Sequence, residues 1–153
     1  MSLPRCTQKG TRALKTVFCT VVGLFATMAI MIGIGNEIKL PRGVFISFLF
    51  GGGTALLILG IVLIILTLKS SIGGKLKKFL ILTGASVAGF FVSVVLHNLI
   101  YGLFIYFFGK DFWGPEGDEP VFFILAIVVC PIGFLIGAIG SGVLLVKNRK
   151  YLS

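Results

Sequence analysis

The chain has 153 residues, 57% of them hydrophobic, and its mean hydropathy is +1.10. This composition excludes a water-soluble globular protein, because the apolar residues form unbroken runs long enough to cross a bilayer. The formal net charge is +9, but the basic residues lie within a few positions of the apolar runs. They therefore favour anionic lipid headgroups as partners and argue against nucleic acid.

Four apolar runs predict four membrane-spanning helices, since a helix satisfies its own backbone hydrogen bonds in lipid. These runs cover residues 16–35, 43–68, 79–108 and 120–146. The connections between them are short, so residues 1–153 are expected to form a single membrane domain. The predicted fold is all-α, an antiparallel four-helix transmembrane bundle in an integral membrane protein.

The distribution of Lys and Arg predicts how this bundle is oriented. The N-terminal tail holds 4 of these residues, loop 69–78 holds 4 and the C-terminal tail holds 3, against 2 in the first outer loop and 1 in outer loop 109–119. The positive-inside rule then places both termini in the cytoplasm of a multi-pass protein of the cell membrane. The acidic residues all lie on the opposite side: Glu37, Asp111, Glu116, Asp118 and Glu119.

The first two spans each carry a stripe of small or mildly polar residues at helical spacing. In the first span the stripe is Thr16, Thr20, Gly23 and Thr27. In the second it is Ser47, Gly51 and Ala55. Small faces let helix backbones approach closely, so both stripes are candidate helix-packing surfaces.

The third span is longer than a bilayer requires. Its 30 residues make about 45 Å of helix, against a hydrocarbon thickness of about 30 Å. We expect it to protrude, or to break near Gly102, with residues 104–108 in the outer interface. Ser86, Gly89, Ser93, His97 and Tyr101 follow one face of this span.

The fourth span carries the clearest packing signal in the chain. Small residues recur along one face, and they favour close packing within the chain over a seam between copies. Pro131 interrupts this helix and is expected to kink it and to free the carbonyl of Ile127. The stripe consists of Ala126, Cys130, Gly133, Gly137, Gly140 and Ser141.

His97 is the one histidine of the chain and lies in the outer half of the third span. Ionisable groups inside membranes tend to face the protein interior and to mark proton or ligand paths. The functional hypothesis is an outer-half polar pocket of His97, Asn98, Tyr101, Ser47 and Thr54. The competing interpretation, which we favour, is a histidine satisfied by a neighbouring hydroxyl or by water at the membrane boundary.

No catalytic residue, metal site or cofactor is predicted. One histidine without a carboxylate or cysteine at ligand spacing cannot complete a zinc site. Gly73, Gly74 and Lys75 resemble the end of a phosphate loop, but Leu76 stands where Ser or Thr is required. An enzyme would need a site built between subunits or around lipid.

The three cysteines predict no disulfide, because Cys6, Cys19 and Cys130 lie in unlike places. Cys6 is a candidate for palmitoylation in a eukaryotic host, although an inert thiol is the favoured interpretation.

Two functions remain open at this point. The first is a small non-enzymatic membrane protein that acts through helix contacts, as a homo-oligomer or with a membrane-protein partner. The alternative is an oligomeric channel or transporter for a small solute, with His97 as a gating or proton-sensitive group.

Overall fold

A computed structural model describes residues 5–34, 41–114, 117 and 119–147, apart from the side chains of residues 5–9, 11 and 42. The described residues are helical almost throughout and contain no β-strand. Several residues named above lie outside this description: the side chain of Cys6, Glu37, Glu116 and Asp118. The basic residues Lys39, Arg149 and Lys150, counted above by segment, lie outside it as well.

The fold consists of three long helices followed by a divided fourth span. Helix α1 covers Arg5–Ile34, α2 Arg42–Lys69 and α3 Gly74–Phe108. The fourth span begins as the short helix α4, Pro120–Ile124, widens into a π-helical turn at Leu125–Val129 and continues as α5, Cys130–Lys147. The element order is α1, α2, α3, α4, the π turn and α5.

Helix α3 runs through Gly102 without a break. The expectation of a break at that position is therefore wrong. Glycine lowers helix stability by only about 1 kcal/mol, and long apolar sequence on both sides of Gly102 outweighs this cost. Helix α3 has 35 residues, or about 52 Å of continuous helix.

Leucine, valine and aromatic side chains fill the interior between the helices. A cluster near the turn between α2 and α3 joins Leu14 and Phe18 of α1 to Leu63 of α2 and Leu80 of α3. A second cluster contains Val21, Met28, Leu56, Val87 and Phe134. The Phe25 ring of α1 stacks on Phe134 of α5 at 3.9 Å between ring centroids, so α1 contacts the fourth span as well as α2.

The exterior of the bundle is apolar on all four spans. Large side chains such as Phe50, Ile61, Leu99, Leu135 and Ile139 are exposed. A surface this apolar would drive aggregation in water, whereas lipid chains solvate it well. Four helices are long and apolar enough to cross a membrane: 12–34, 43–69, 74–108 and 120–147.

Candidate functional site

The candidate site lies where the C-terminal half of α3 meets the beginning of the fourth span. Helix α3 presents His97, and the chain returns to it at Glu119, the residue before α4. The His97 Nδ1 atom is 3.1 Å from the Glu119 carbonyl oxygen and 3.4 Å from its carboxylate Oε2 atom. The side chains of His97 and Glu119 are only 17% and 6% exposed, respectively.

These contacts define which nitrogen of His97 carries a proton. A carbonyl oxygen and an ionised carboxylate can only accept hydrogen bonds. Both face Nδ1, so Nδ1 is protonated, either in the neutral ring or in the imidazolium ion. His97 therefore acts as a donor toward the residue that begins the fourth span.

Glu119 also caps helix α4. Its Oε1 atom accepts from the backbone N–H of Val121 at 2.9 Å, and its Oε2 atom accepts from that of Phe122 at 2.9 Å. The first N–H groups of a helix have no partner within it, and a carboxylate there also interacts well with the helix dipole. Glu119 is thus the N-cap of the fourth span. Pro120 occupies the first helical position, where its missing N–H costs nothing.

Aromatic rings surround His97 and extend outward from it. The Tyr101 ring lies 6.4 Å from that of His97, and the Phe123 ring of α4 lies 5.7 Å from it, both between ring centroids. Trp113, in the turn after α3, stacks on Tyr101 at 6.2 Å and contacts Phe104 at 5.4 Å. This row of rings holds the turn after α3 against the outer end of that helix.

The other residues proposed for the pocket do not face His97 in the same way. Asn98 is exposed and donates to the carbonyl of Val94, one turn earlier in its own helix. Thr54 is exposed and donates to the carbonyl of Phe50, and Ser47 is also exposed. The structure thus brings Tyr101 to His97, and it adds Glu119 and Phe123, which the sequence interpretation did not include.

A spacing argument could not have found the His97–Glu119 contact, since 22 residues and a turn separate its two members. One signal was present: Glu119 immediately precedes Pro120, so it sits at a predictable helix N-terminus. Helix α3 continues past His97 to Phe108. The chain then turns back and reaches His97 again at Glu119.

The small-residue stripe of the fourth span lies against α3. A Cβ atom added at Gly133 would lie 2.6 Å from Ser86 Oγ, and one at Gly140 would lie 2.7 Å from the Phe79 ring. Ala126, Cys130 and Ser141 are buried. Gly137 is buried as well, and Gly133 and Gly140 are partly buried.

The stripe of α1 has the opposite placement. Thr16, Thr20, Gly23 and Thr27 are all exposed, and the space around Gly23 is open. The three hydroxyl groups donate to carbonyls four residues earlier in α1. Larger residues, among them Leu14 and Val21, form the buried face of this helix.

The π turn replaces a simple proline kink in the fourth span. It ends immediately before Cys130, whose backbone N–H donates to the carbonyl of Leu125, five residues earlier. Pro131 then follows with no N–H to donate. The irregular backbone hydrogen bonding of the fourth span therefore lies at Leu125–Val129 and at Pro131.

No group of three or more His, Cys, Asp or Glu side chains that could hold a metal ion occurs among the described residues. Cys19 is exposed and Cys130 is buried, and both are free thiols. Comparisons with protein-family models, curated proteins and solved structures give no match for this chain.

Proposed function

We propose that the chain is an integral membrane protein whose four spans form an antiparallel bundle with both termini in the cytoplasm. Contacts between neighbouring helices support this order. The Cβ position of Gly53 lies beside Phe91 and that of Gly60 beside Ala88, so rising numbers in α2 meet falling numbers in α3. The excess of Lys and Arg in both tails and loop 69–78 supports the orientation.

Cysteine accessibility tests this orientation. In a variant without the three native cysteines, Lys110→Cys should react with a membrane-impermeant maleimide in intact cells. Lys75→Cys should react only after the membrane is permeabilised. Both positions are exposed, so steric protection does not distinguish them. Labelling of Lys75→Cys alone in intact cells would contradict the orientation.

We propose further that the protein acts through helix contacts in the membrane, and that the exposed stripe of α1 is its contact surface for a second copy. The observation that carries this proposal is the open space around Gly23 beside three exposed threonines. Lipid removes the hydrophobic force between helices, so association depends on close backbone approach and on weak hydrogen bonds. A helix face of small residues permits the close approach.

The stripe of the fourth span does not serve this purpose, since α3 occupies it. At Gly23 the stripe of α1 has no such neighbour among the described residues: apart from the adjoining residues and backbone of α1 itself, nothing lies within 4 Å of its Cβ position. Two copies with the same orientation can present the same stripe to each other, as a two-fold symmetric interface requires. A helix of another membrane protein is the second partner class that this surface suits.

Substitution of Gly23 tests this proposal. Gly23→Leu should weaken association in lipid by at least about tenfold, which corresponds to ~1.4 kcal/mol, because the leucine side chain holds the facing helices apart. The measurement is energy transfer between donor- and acceptor-labelled copies as the protein-to-lipid ratio is varied. Gly33→Leu is the matched control, since Gly33 is also in α1 with open space around it but lies off the stripe. Equal association in both variants would contradict the proposal.

Anionic lipid headgroups are the proposed partners of the cytoplasmic surface. Each Lys or Arg near such a membrane surface contributes about 1 kcal/mol of attraction. Among the side chains that the structure describes, the exposed basic ones at this end of the bundle are Arg12, Lys69, Lys75, Lys78 and Lys147.

The alternative function is an oligomeric channel or transporter for a small solute, with His97 as the proton-sensitive group. The half-buried contact of His97 with Glu119 in an otherwise apolar region supports it. Glycerol uptake into proteoliposomes, followed by light scattering between pH 5 and 8, provides the test. The alternative predicts uptake that depends on pH in this range and changes in His97→Ala but not in Asn98→Ala. Uptake that ignores both pH and His97→Ala removes His97 from that role.

A further inference from the structure

Span four packs on α3 along its length, and the contacts near its two ends differ. At the outer end, Glu119 contacts His97, and the Phe123 ring lies 5.7 Å from the His97 ring. At the inner end, Gly137 lies so close to Thr83 that an added Cβ atom would be 2.6 Å from its Oγ1 atom. The π turn lies between these two attachments.

The backbone of the fourth span is weakest between the attachments. The bond from the Cys130 N–H to the Leu125 carbonyl spans five residues, and Pro131 contributes no N–H to the ladder. Turns of this kind are uncommon inside helices and occur frequently at functional sites. A π turn next to a proline is also one of the recognised causes of helix bending.

The side chains by which the π turn and Cys130 pack on α3 are small. Within the turn only Ala126 is buried, while Ile127, Val128 and Val129 are exposed. Cys130, directly after the turn, meets α3 at Gly89, where an added Cβ atom would be 3.4 Å from the Cys130 Sγ atom. Small side chains of the fourth span face Gly89 of α3 here. Few side chains therefore interlock to oppose a change in the angle between the two helices.

We propose that the π turn and Pro131 form a hinge about which α4 and Glu119 move relative to α3, while α5 keeps its contacts. The contact between His97 and Glu119 holds the hinge in the position that the structure has. Loss of this contact frees the outer segment alone. The glycine contacts of α5 stay in place because they lie beyond the hinge.

Distances between pairs of spin labels test the hinge in a variant without the three native cysteines. The outer pair joins Val121 of α4 to Leu103 of α3, and the inner pair joins Ile139 of α5 to Ile65 of α2; all four positions are exposed. In His97→Ala, the outer distance should shift by about 5 Å, the rise of one helical turn, or broaden by as much. The inner distance should stay the same. Asn98→Ala, at the adjacent exposed position, should leave both distances unchanged.

Pro131→Ala separates a hinge from a simple loosening of the bundle. Alanine restores the backbone N–H that proline lacks and that an α-helix needs for its hydrogen bonds. Adding Pro131→Ala to His97→Ala should therefore reduce the change in the distance between Val121 and Leu103. If His97→Ala does not yield folded protein, His97→Phe takes its place, because a ring of similar size has no N–H to donate to Glu119. An unchanged outer distance, a joint movement of both pairs, or no effect of Pro131→Ala would each overturn the proposal. None of these readings depends on self-association.

Discussion

Gly137→Leu is expected to prevent α5 from packing against α3, with a loss of at least about 3 kcal/mol in the free energy of unfolding. A Cβ atom at Gly137 would lie 2.6 Å from the Thr83 Oγ1 atom, 2.7 Å from the Thr83 backbone nitrogen and 3.0 Å from the Phe79 carbonyl oxygen. Two of these three atoms belong to the backbone of α3, so a rotamer change cannot relieve the clash. The helices have to separate, and the contacts of neighbouring residues are lost with them.

Unfolding in mixed detergent and SDS micelles, followed by circular dichroism and by thiol accessibility of Cys130, measures this loss. The matched control is Gly142→Leu, one turn further along α5, where nothing lies within 4 Å of the Cβ position. Gly142→Leu should change the free energy of unfolding by less than about 0.5 kcal/mol. Equal stability of the two variants would show that α5 does not pack on α3 through Gly137.

Gly60→Leu is expected to disrupt the contact between α2 and α3 to a similar extent. A Cβ atom at Gly60 would lie 2.8 Å from the carbonyl oxygen of Gly84, and one at Gly84 would lie 2.8 Å from that of Gly60. This mutual close approach exists only because both residues lack a side chain, and it places two helix backbones in direct contact. Any larger residue forces α2 and α3 apart.

The same unfolding assay measures the effect of Gly60→Leu, with Gly51→Leu in α2 as its control. Gly51 is exposed and has open space at its Cβ position, so the larger side chain should be tolerated in lipid. A marked loss of stability in Gly51→Leu with none in Gly60→Leu would show that α2 does not contact α3 through Gly60.

Much of the helical architecture could be predicted from sequence because the apolar runs are long and their boundaries carry ordinary signals. Proline and glutamate before the fourth span predicted its N-terminus, and the cap at Glu119 follows from them. The length of α3 was also predictable. Its continuity through Gly102 was not, since a single glycine gives no decisive signal for or against a break.

The pairing of helix faces was harder to predict. The stripes of α1 and α5 look alike in sequence, yet α3 covers one and the other is exposed. Spacing identifies a face of small residues but not its neighbour, because the outcome depends on the packing of all four helices. The contact of Gly60 with Gly84 was missed for the same reason: each glycine is unremarkable until the other helix is placed beside it.

The candidate site could be predicted only in part. The lone histidine drew attention to the outer half of α3, and Tyr101 is indeed its neighbour on the same helix face. Glu119 was placed only among the acidic residues of the outer side, and Asn98 and Thr54 were assigned to the pocket by proximity in sequence or depth. Both of these side chains instead donate to carbonyls of their own helices, a local bond that competes with any pocket in an apolar membrane.

Oxidative cross-linking in native membranes tests most directly whether two copies meet through α1. Thr20→Cys lies at the centre of the exposed stripe, and Ala29→Cys is an exposed position of the same helix away from it. With the native cysteines replaced, Thr20→Cys should form a covalent dimer on mild oxidation, and Ala29→Cys should stay monomeric. A Thr20→Cys variant that stays monomeric, or equal dimer formation at both positions, would contradict self-association through this surface.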